Sequence, residues 1–451
     1  LKRIPLVVIF LAYLALAALY AAFTPKWQVP DEPAHFNYIR AIAETGALPV
    51  LQRGDYDHDY LEKIKAAKFP ATMSIDAIRY ESYQPPLYYL AATPVYLASR
   101  GAGLDAQVFA LRMFSAALGA FVLLLAFAVA REIFPDDDLL ALAAVGAIAT
   151  VPMYIAISAS VSNDIAGVLV LSLILLLAVK RAKGAIRDTQ FAILGGVLFG
   201  AALLTKTTTY VPGTVLLIGA EIARVRGSRG AGERGGRSRI PNSEFRILIL
   251  LFALAALIAS PMFLRNAHTY GIADPLGIAR HDAIVVGQPT TAEMIAQYGF
   301  SRIAFDFFAV TFKSFWAQFG WMGVLVNDRI YVALFLLSAT AVLGFTFHAS
   351  RIIRRRELLT ATQPWCIGLL MLLLVIAFAD YVAYNFKFLQ LQGRYLFPAI
   401  IPIALFGAIG LRELLAREYQ RIVFALLYAG MLALDVACLF LFIVPQLRIP
   451  N

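Results

Sequence analysis

Charge is scarce in this 451-residue sequence. Asp, Glu, Lys and Arg make up 15% of it, where a soluble globular chain carries about a quarter. That shortage excludes an ordinary soluble enzyme. Cysteine is scarcer still. Cys366 and Cys438 both lie inside apolar runs, so they read as buried small side chains rather than a disulfide, and they say little about the compartment. Several motifs are missing. The sequence has no phosphate-cradling glycine-rich loop, no Walker motif, no Ser/His/Asp triad spacing and no Cys/His metal cluster. Nucleotide-driven chemistry is disfavoured on that ground. An activated substrate would then arrive by another route, and a lipid carrier is the natural one.

What is present is apolar. Hydrophobic residues make up 60% of the chain, in blocks such as Leu6 to Phe23, Ala116 to Ala130, Val168 to Val179, Ile247 to Ile258 and Ile422 to Val444. Apolar runs of about 20 residues are transmembrane helix candidates. Many such runs in one chain exclude a soluble enzyme on a single anchor. The formal net charge of +10 does not point to nucleic acid, because the Arg and Lys residues are confined to a few loops. That is the positive-inside bias of a membrane protein. The basic stretches Lys2-Arg3, Lys180 to Lys183, Arg224 to Arg246, Arg351 to Arg356 and Arg412 to Arg421 therefore mark the cytoplasm. The Gly/Arg/Ser-rich third stretch reads as a flexible inner loop. Leu1-Lys2-Arg3 and the following run read as an uncleaved first helix rather than a signal peptide.

The expected fold class is an all-α polytopic membrane protein. The spans are 4–23, 106–134, 137–157, 163–181, 189–205, 208–223, 245–264, 329–349, 364–385, 395–415 and 421–444, eleven crossings with the N-terminus inside and the C-terminus outside. The apolar segment 85–99 is short and contains Pro94. It reads as a re-entrant or interfacial helix, because a twelfth crossing would put basic loops outside. The outer side then receives two long segments, 24–105 and 265–328. It also receives short turns near Ser158 to Asn163, Thr205 to Thr209 and Phe386 to Arg394. The chain divides accordingly into a membrane module over 1–264 that includes loop 24–105, a second outer loop over 265–328, and C-terminal helices over 329–451.

Four constellations on that side can carry chemistry. Pro30-Asp31-Glu32-Pro33 directly follows the first helix. Asp31 suits an N-cap, with Pro33 in the first turn of an amphipathic surface helix over 33–45 that Gly46 ends. A carboxylate there is either a cap or a catalytic base for a hydroxyl. Asp31 and His35 are four apart, as metal ligands on one helix face are, but no third ligand is in sight. Tyr80 to Tyr89, with Gln84, Pro85, Pro86 and Tyr88, reads as an aromatic interfacial anchor or as a rim that stacks on sugar rings. Arg112, Lys206, Arg265 and Arg394 are cations at outer helix ends, where the positive-inside rule expects few. Together they favour an anion site, most plausibly for a phosphate; singly they read equally as snorkelling side chains. Asp164 caps the next helix or holds a substrate hydroxyl or a cation of the set.

At these residues the chain resembles the GT-C superfamily of membrane glycosyltransferases, which includes the protein O-mannosyltransferases and the lipid A aminoarabinose transferase. The motifs are Pro30-Asp31-Glu32-Pro33, Pro85-Pro86-Leu87-Tyr88-Tyr89, Arg112, Leu203 to Lys206, Phe263 to Asn266, and Gln392-Gly393-Arg394-Tyr395. Gln84 departs from the pattern, since many relatives have His there. The resemblance implies a helical bundle with outer juxtamembrane helices and a polyprenyl-phosphate sugar donor. It implies inverting transfer to a glycan, lipid or protein acceptor on the outer face of the plasma membrane. It also implies Asp31 as general base, with Glu32 as a supporting or alternative carboxylate. Some relatives use a divalent metal and others do not, so cofactor use stays open. A flippase or transporter of lipid-linked sugars would instead show ionisable residues at mid-membrane and inverted repeats. Asp380 and Asp435 are weak candidates for such residues. A non-catalytic assembly subunit would tolerate substitution at all these positions.

Overall fold

The computed structural model describes residues 4–229, 242–355 and 359–448. The calls on Lys2-Arg3, on Arg356 and on most of the Gly/Arg stretch lie outside the described residues. The chain is nearly all helix. Apolar blocks become α1 (Ile4–Phe23), α5 (Leu104–Ile133), α8 (Asp164–Ala182), α11 (Asn242–Tyr270), α15 (Asp328–Arg354), α16 (Gln363–Asn385), α17 (Ile400–Glu413, entered through a 3-10 turn from Gly393) and α18 (Gln420–Ala437, prolonged to Leu447). These are the eight described helices long and apolar enough to cross a membrane. Their lipid-facing surfaces stay apolar, as Leu257, Leu336 and Leu426 illustrate.

The expected span 137–157 is not one straight helix. It is α6 (Asp138–Ala149) and α7 (Pro152–Ser158), bent by 66°. Pro152 disfavours helical backbone at Val151, and the break falls there. Counting the pair as one span gives nine. The expected spans 189–205 and 208–223 become α9 (Asp188–Leu203), a shorter apolar helix, and α10 (Tyr210–Arg229), which is not among the eight. The segment around Pro94 forms α4 (Leu87–Ser99), whose 13 residues reach only about 20 Å of the roughly 30 Å hydrocarbon core.

Close helix contacts rest on missing side chains. Gly196 and Gly200 of α9 share one face, and a Cβ on either would press within 2.9 Å of Leu251 and Leu254 or of Ile258 on α11. Gly344 and Gly410 let α15 and α17 touch backbone to backbone. At the end of the bundle assigned to the cytoplasm, Arg181 is not a free loop charge. It is buried against Glu221 at 2.7 Å and also pairs with Asp188 at 2.7 Å, which braces α8, α9 and α10.

The other end carries a second core. α2 (Glu32–Thr45), α3 (His58–Ala66) and α4 pack through Phe36, Tyr38, Ile39, Ile64 and Tyr89. The long segment after α11 adds α12 (Ile278–Ile284), α13 (Thr291–Tyr298), α14 (Phe300–Trp316) and a two-stranded hairpin, β1 (Gln318–Phe319) with β2 (Val324–Leu325). Trp321 Nε1 donates to the Trp27 carbonyl at 2.9 Å, tying this segment to the one after α1. Thr291 reaches residues 385–387 through its backbone N–H and its hydroxyl, which closes the loop before α13 against the end of α16.

Candidate active site

The turn after α1 sets the site. Asp31 has φ 67°, left-handed backbone that a non-glycine residue adopts at a cost. Its side chain makes no cap bond. Its Oδ1 accepts from the Tyr80 hydroxyl at 2.8 Å, and its Oδ2 accepts from Arg394 Nη2 at 2.6 Å. The capping expectation therefore fails: the strained turn aims the carboxylate away from the helix end. Nor is α2 a half-exposed surface helix, since every residue from Glu32 to Ile39 is buried. Gly46, at φ 69°, ends the helix and donates its N–H to Ile42.

Glu32 points the other way. It is 0% exposed, and Arg112 is 1% exposed. Arg112 donates two parallel hydrogen bonds to Glu32, at 2.8 Å (Nε to Oε1) and 2.7 Å (Nη2 to Oε2). Glu32 also accepts from the Trp27 and Val161 N–H groups, while Arg112 Nη1 donates to the Ala21 and Thr24 carbonyls. Two expectations are corrected here. Glu32 is not a second carboxylate at the reacting centre, and Arg112 is not an anion-binding cation. Every strong donor and acceptor of the pair is spent on bracing the end of α1 against α5 and the Val161 turn.

A cavity of ≈ 690 Å³ opens beside Asp31. Asp31, His35, Glu81, Gln84, Lys206 and Arg394 line its polar floor, with Tyr83, Tyr384 and Tyr395 around them. Lys206, from the turn after α9, pairs with Asp164 and lies 3.3 Å from Asn163 Oδ1. Arg394 bridges the two carboxylates, with Nη1 3.3 Å from Asp164 Oδ2. The Nε and Nη1 of Arg394 are buried and have no hydrogen-bond partner. The order Lys206, Asp164, Arg394, Asp31 is thus a chain of alternating charges in which the Arg394 Nε stays unpaired. Asp164 is not a cap either, since its carboxylate is spent on the two cations.

The environment tunes these groups. Burial works against the Asp31 charge. The Arg394 charge and the hydrogen bonds from Arg394 and Tyr80 outweigh it and hold Asp31 below the usual carboxylate range. Burial pushes His35 down to about 4 despite nearby Asp31, so its ring is neutral near pH 7. His35 Nδ1 lies 2.8 Å from the Tyr89 hydroxyl. Glu81 goes up to about 8, chiefly by burial and then by the Asp31 charge.

The remaining expected site residues fall apart. Arg265 lies outside the cavity wall; its Nη2 donates to the Leu48 and Pro49 carbonyls at 3.1 and 2.6 Å and fastens the chain after α2. Tyr88 is buried, with its hydroxyl bonded to Ser115 and accepting from the Ser162 N–H, so it is neither an interfacial anchor nor a rim. Gln84 does reach the cavity, 3.4 Å from Asn163 Nδ2. Among the described residues, no three His, Cys, Asp or Glu side chains group as a metal site needs. Asp31 and His35 both line the cavity. Glu81, inside the stretch Tyr80 to Tyr89, is the cavity residue that sequence reasoning misses. A lone acid between two tyrosines in an apolar segment was the available signal.

A second, apolar hollow of ≈ 430 Å³ lies between α14, α15 and α17, lined by Phe312, Phe315, Leu337, Phe345, Leu396 and Ile403.

Residues 58–404 match the family described as "Predicted membrane protein (DUF2142)", and the chain belongs to that family. No curated protein matches the sequence. Among solved structures, the chain is similar to ArnT from Cupriavidus metallidurans bound to undecaprenyl phosphate. The identity is 15% and the TM-score 0.56, over 98% of this chain and 73% of that one. The apo state of the same protein gives 14% and 0.51 over the same shares. The archaeal oligosaccharyltransferase AglB from Archaeoglobus fulgidus, in complex with an inhibitory peptide and a dolichol-phosphate, gives 16% and 0.46 over 98% and 56%. The fold is that of the GT-C membrane glycosyltransferases.

Proposed function

We propose that this protein transfers a sugar from a polyprenyl-phosphate donor to a hydroxyl acceptor, with inversion, at the outer face of the membrane. The observation that carries the reading is the juxtaposition, in one cavity, of an oriented carboxylate with two cations, one of which keeps unpartnered donors. An acceptor hydroxyl is a poor nucleophile at neutral pH and needs a positioned base. Asp31 accepts its proton as the new C–O bond forms at the anomeric carbon. On the opposite side the bond from that carbon to the phosphate oxygen breaks, and the electron pair leaves with the phosphate. Lys206 and the unpaired Nε of Arg394 meet that growing charge, in surroundings dry enough to strengthen each contact. The apolar hollow beside α14 offers surface for a lipid tail. Of the two candidates for a transport role, Asp435 lines neither hollow and Asp380 lines the cavity beside Asp31.

The test is Asp31→Asn in the purified protein, read as release of polyprenyl phosphate from polyprenyl-phosphate sugars. The variant inserts and folds as wild type and loses transfer by a factor of about 10²–10⁴, the usual worth of a general base. Full transfer in this variant removes the central claim.

A further inference from the structure

Lys206 and Arg394 are matched one to one by Asp164 and Asp31. An incoming phosphate therefore meets a cluster whose formal charges cancel, not a positively charged cradle. Such a site needs further donors. The described cavity supplies one that the transfer chemistry above does not use. Glu81 lies in the same wall, and its Oε2 is buried without a hydrogen-bond partner. A buried polar atom left unpaired is costly, and a carboxyl in the wall of a cavity can turn to meet what binds there. A protonated carboxyl donates a hydrogen bond, whereas an ionised one only accepts and would repel an anion.

We propose that the Glu81 carboxyl is a further hydrogen-bond donor to the lipid phosphate, beside Lys206 and Arg394. The inference rests on the reading of this cavity as a lipid-phosphate site. Phosphate binding is then coupled to the Glu81 proton: the site takes the anion with Glu81 protonated and rejects it with Glu81 ionised. The charged and titratable groups that face Glu81 are Tyr80 and Tyr83 on its own turn, Asp31 just before α2, Tyr89 on α4, Asp164 on α8, Lys206, and Tyr384 on α16. Burial raises Tyr80, Tyr83 and Tyr89 well above 10, and Asp31 stays below its usual range. Those four do not titrate between pH 7 and 9, whereas Glu81 does.

The experiment measures binding of undecaprenyl phosphate, with undecaprenol as control, to wild type, Glu81→Gln and Glu81→Ala at pH 7 and 9. The glutamine amide keeps a donor at every pH. Glu81→Gln should bind as tightly as wild type at pH 7, and Glu81→Ala more weakly than both. At pH 9 wild type should fall behind Glu81→Gln by about tenfold, because deprotonation a unit above the Glu81 value leaves about a tenth of the donor. The second ionisation of the phosphate is common to all variants and cancels in the ratio. Thermal unfolding of each variant separates lost binding from lost fold. A constant ratio of wild type to Glu81→Gln overturns the proposal, as does a folded Glu81→Ala that binds like Glu81→Gln. Wild type that binds undecaprenyl phosphate no better than undecaprenol at either pH overturns the lipid-phosphate reading itself.

Discussion

Replacing Glu32 by alanine separates two neighbouring carboxylates that look alike in sequence. The Glu32–Arg112 pair is sealed from solvent and doubly hydrogen-bonded. Removing Glu32 leaves the guanidinium with carbonyl partners alone, and it leaves the Trp27 and Val161 N–H groups without an acceptor. Removing one member of a buried ion pair costs about 3–5 kcal/mol. Each orphaned buried N–H adds about 1–3 kcal/mol where water cannot reach it. These terms overlap, so the structure supports a loss of at least about 3 kcal/mol. Asp31→Asn should cost far less, because that side chain is 26% exposed on a cavity wall. The assay is thermal unfolding of both variants purified in one detergent, alongside folded yield. Glu32→Ala should melt well below wild type and Asp31→Asn close to it. A Glu32→Ala protein that melts with wild type yet has lost transfer would refute the reasoning and return Glu32 to the chemistry.

Two further outcomes follow from the same geometry. Arg394→Lys keeps the charge but cannot span Asp31 and Asp164 while presenting spare donors, so transfer should drop by about 10²-fold, the worth of one oriented donor, with folded yield retained. The pH dependence of transfer carries a definite sign. The folded Asp31 value lies below its unfolded value, so the stabilising Asp31–Arg394 pairing is complete above the unfolded pKa of about 3.9 and is lost only as pH falls below it. The acid limb of the rate should therefore contain no Asp31 step at pH 5 to 7. A limb near pH 6 that disappears with the Arg394 pairing would contradict this.

Much of the fold was legible because apolar length is a strong signal. Every expected span overlaps helix, but only eight described helices, nine with the bent pair, are long and apolar enough to cross, so 189–205 and 208–223 do not stand as spans, and 137–157 breaks before Pro152, where local backbone sterics overrode the run. The site was legible in part. Asp31, Gln84, Lys206 and Arg394 reach one cavity from four separate stretches of chain, with Asp164 paired to both cations, and their placement near helix ends made that meeting conceivable. Sequence could not say which way a side chain turns. Glu32 differs from Asp31 by one position, yet backbone strain at Asp31 sends one carboxylate to Arg394 and the helix sends the other to Arg112. Arg112 and Arg265 occupy helix ends as Lys206 does, but backbone carbonyls claim them. Only three-dimensional neighbours make that distinction. Glu81 stayed hidden for the same reason, since its isolation from partners is a property of the cavity and not of the motif.

The most direct test of the account is a structure of this protein with bound polyprenyl phosphate. The account places the phosphate in the cavity beside Asp31, within hydrogen-bond reach of Lys206 and of the Arg394 guanidinium. A phosphate seated away from both cations would contradict it.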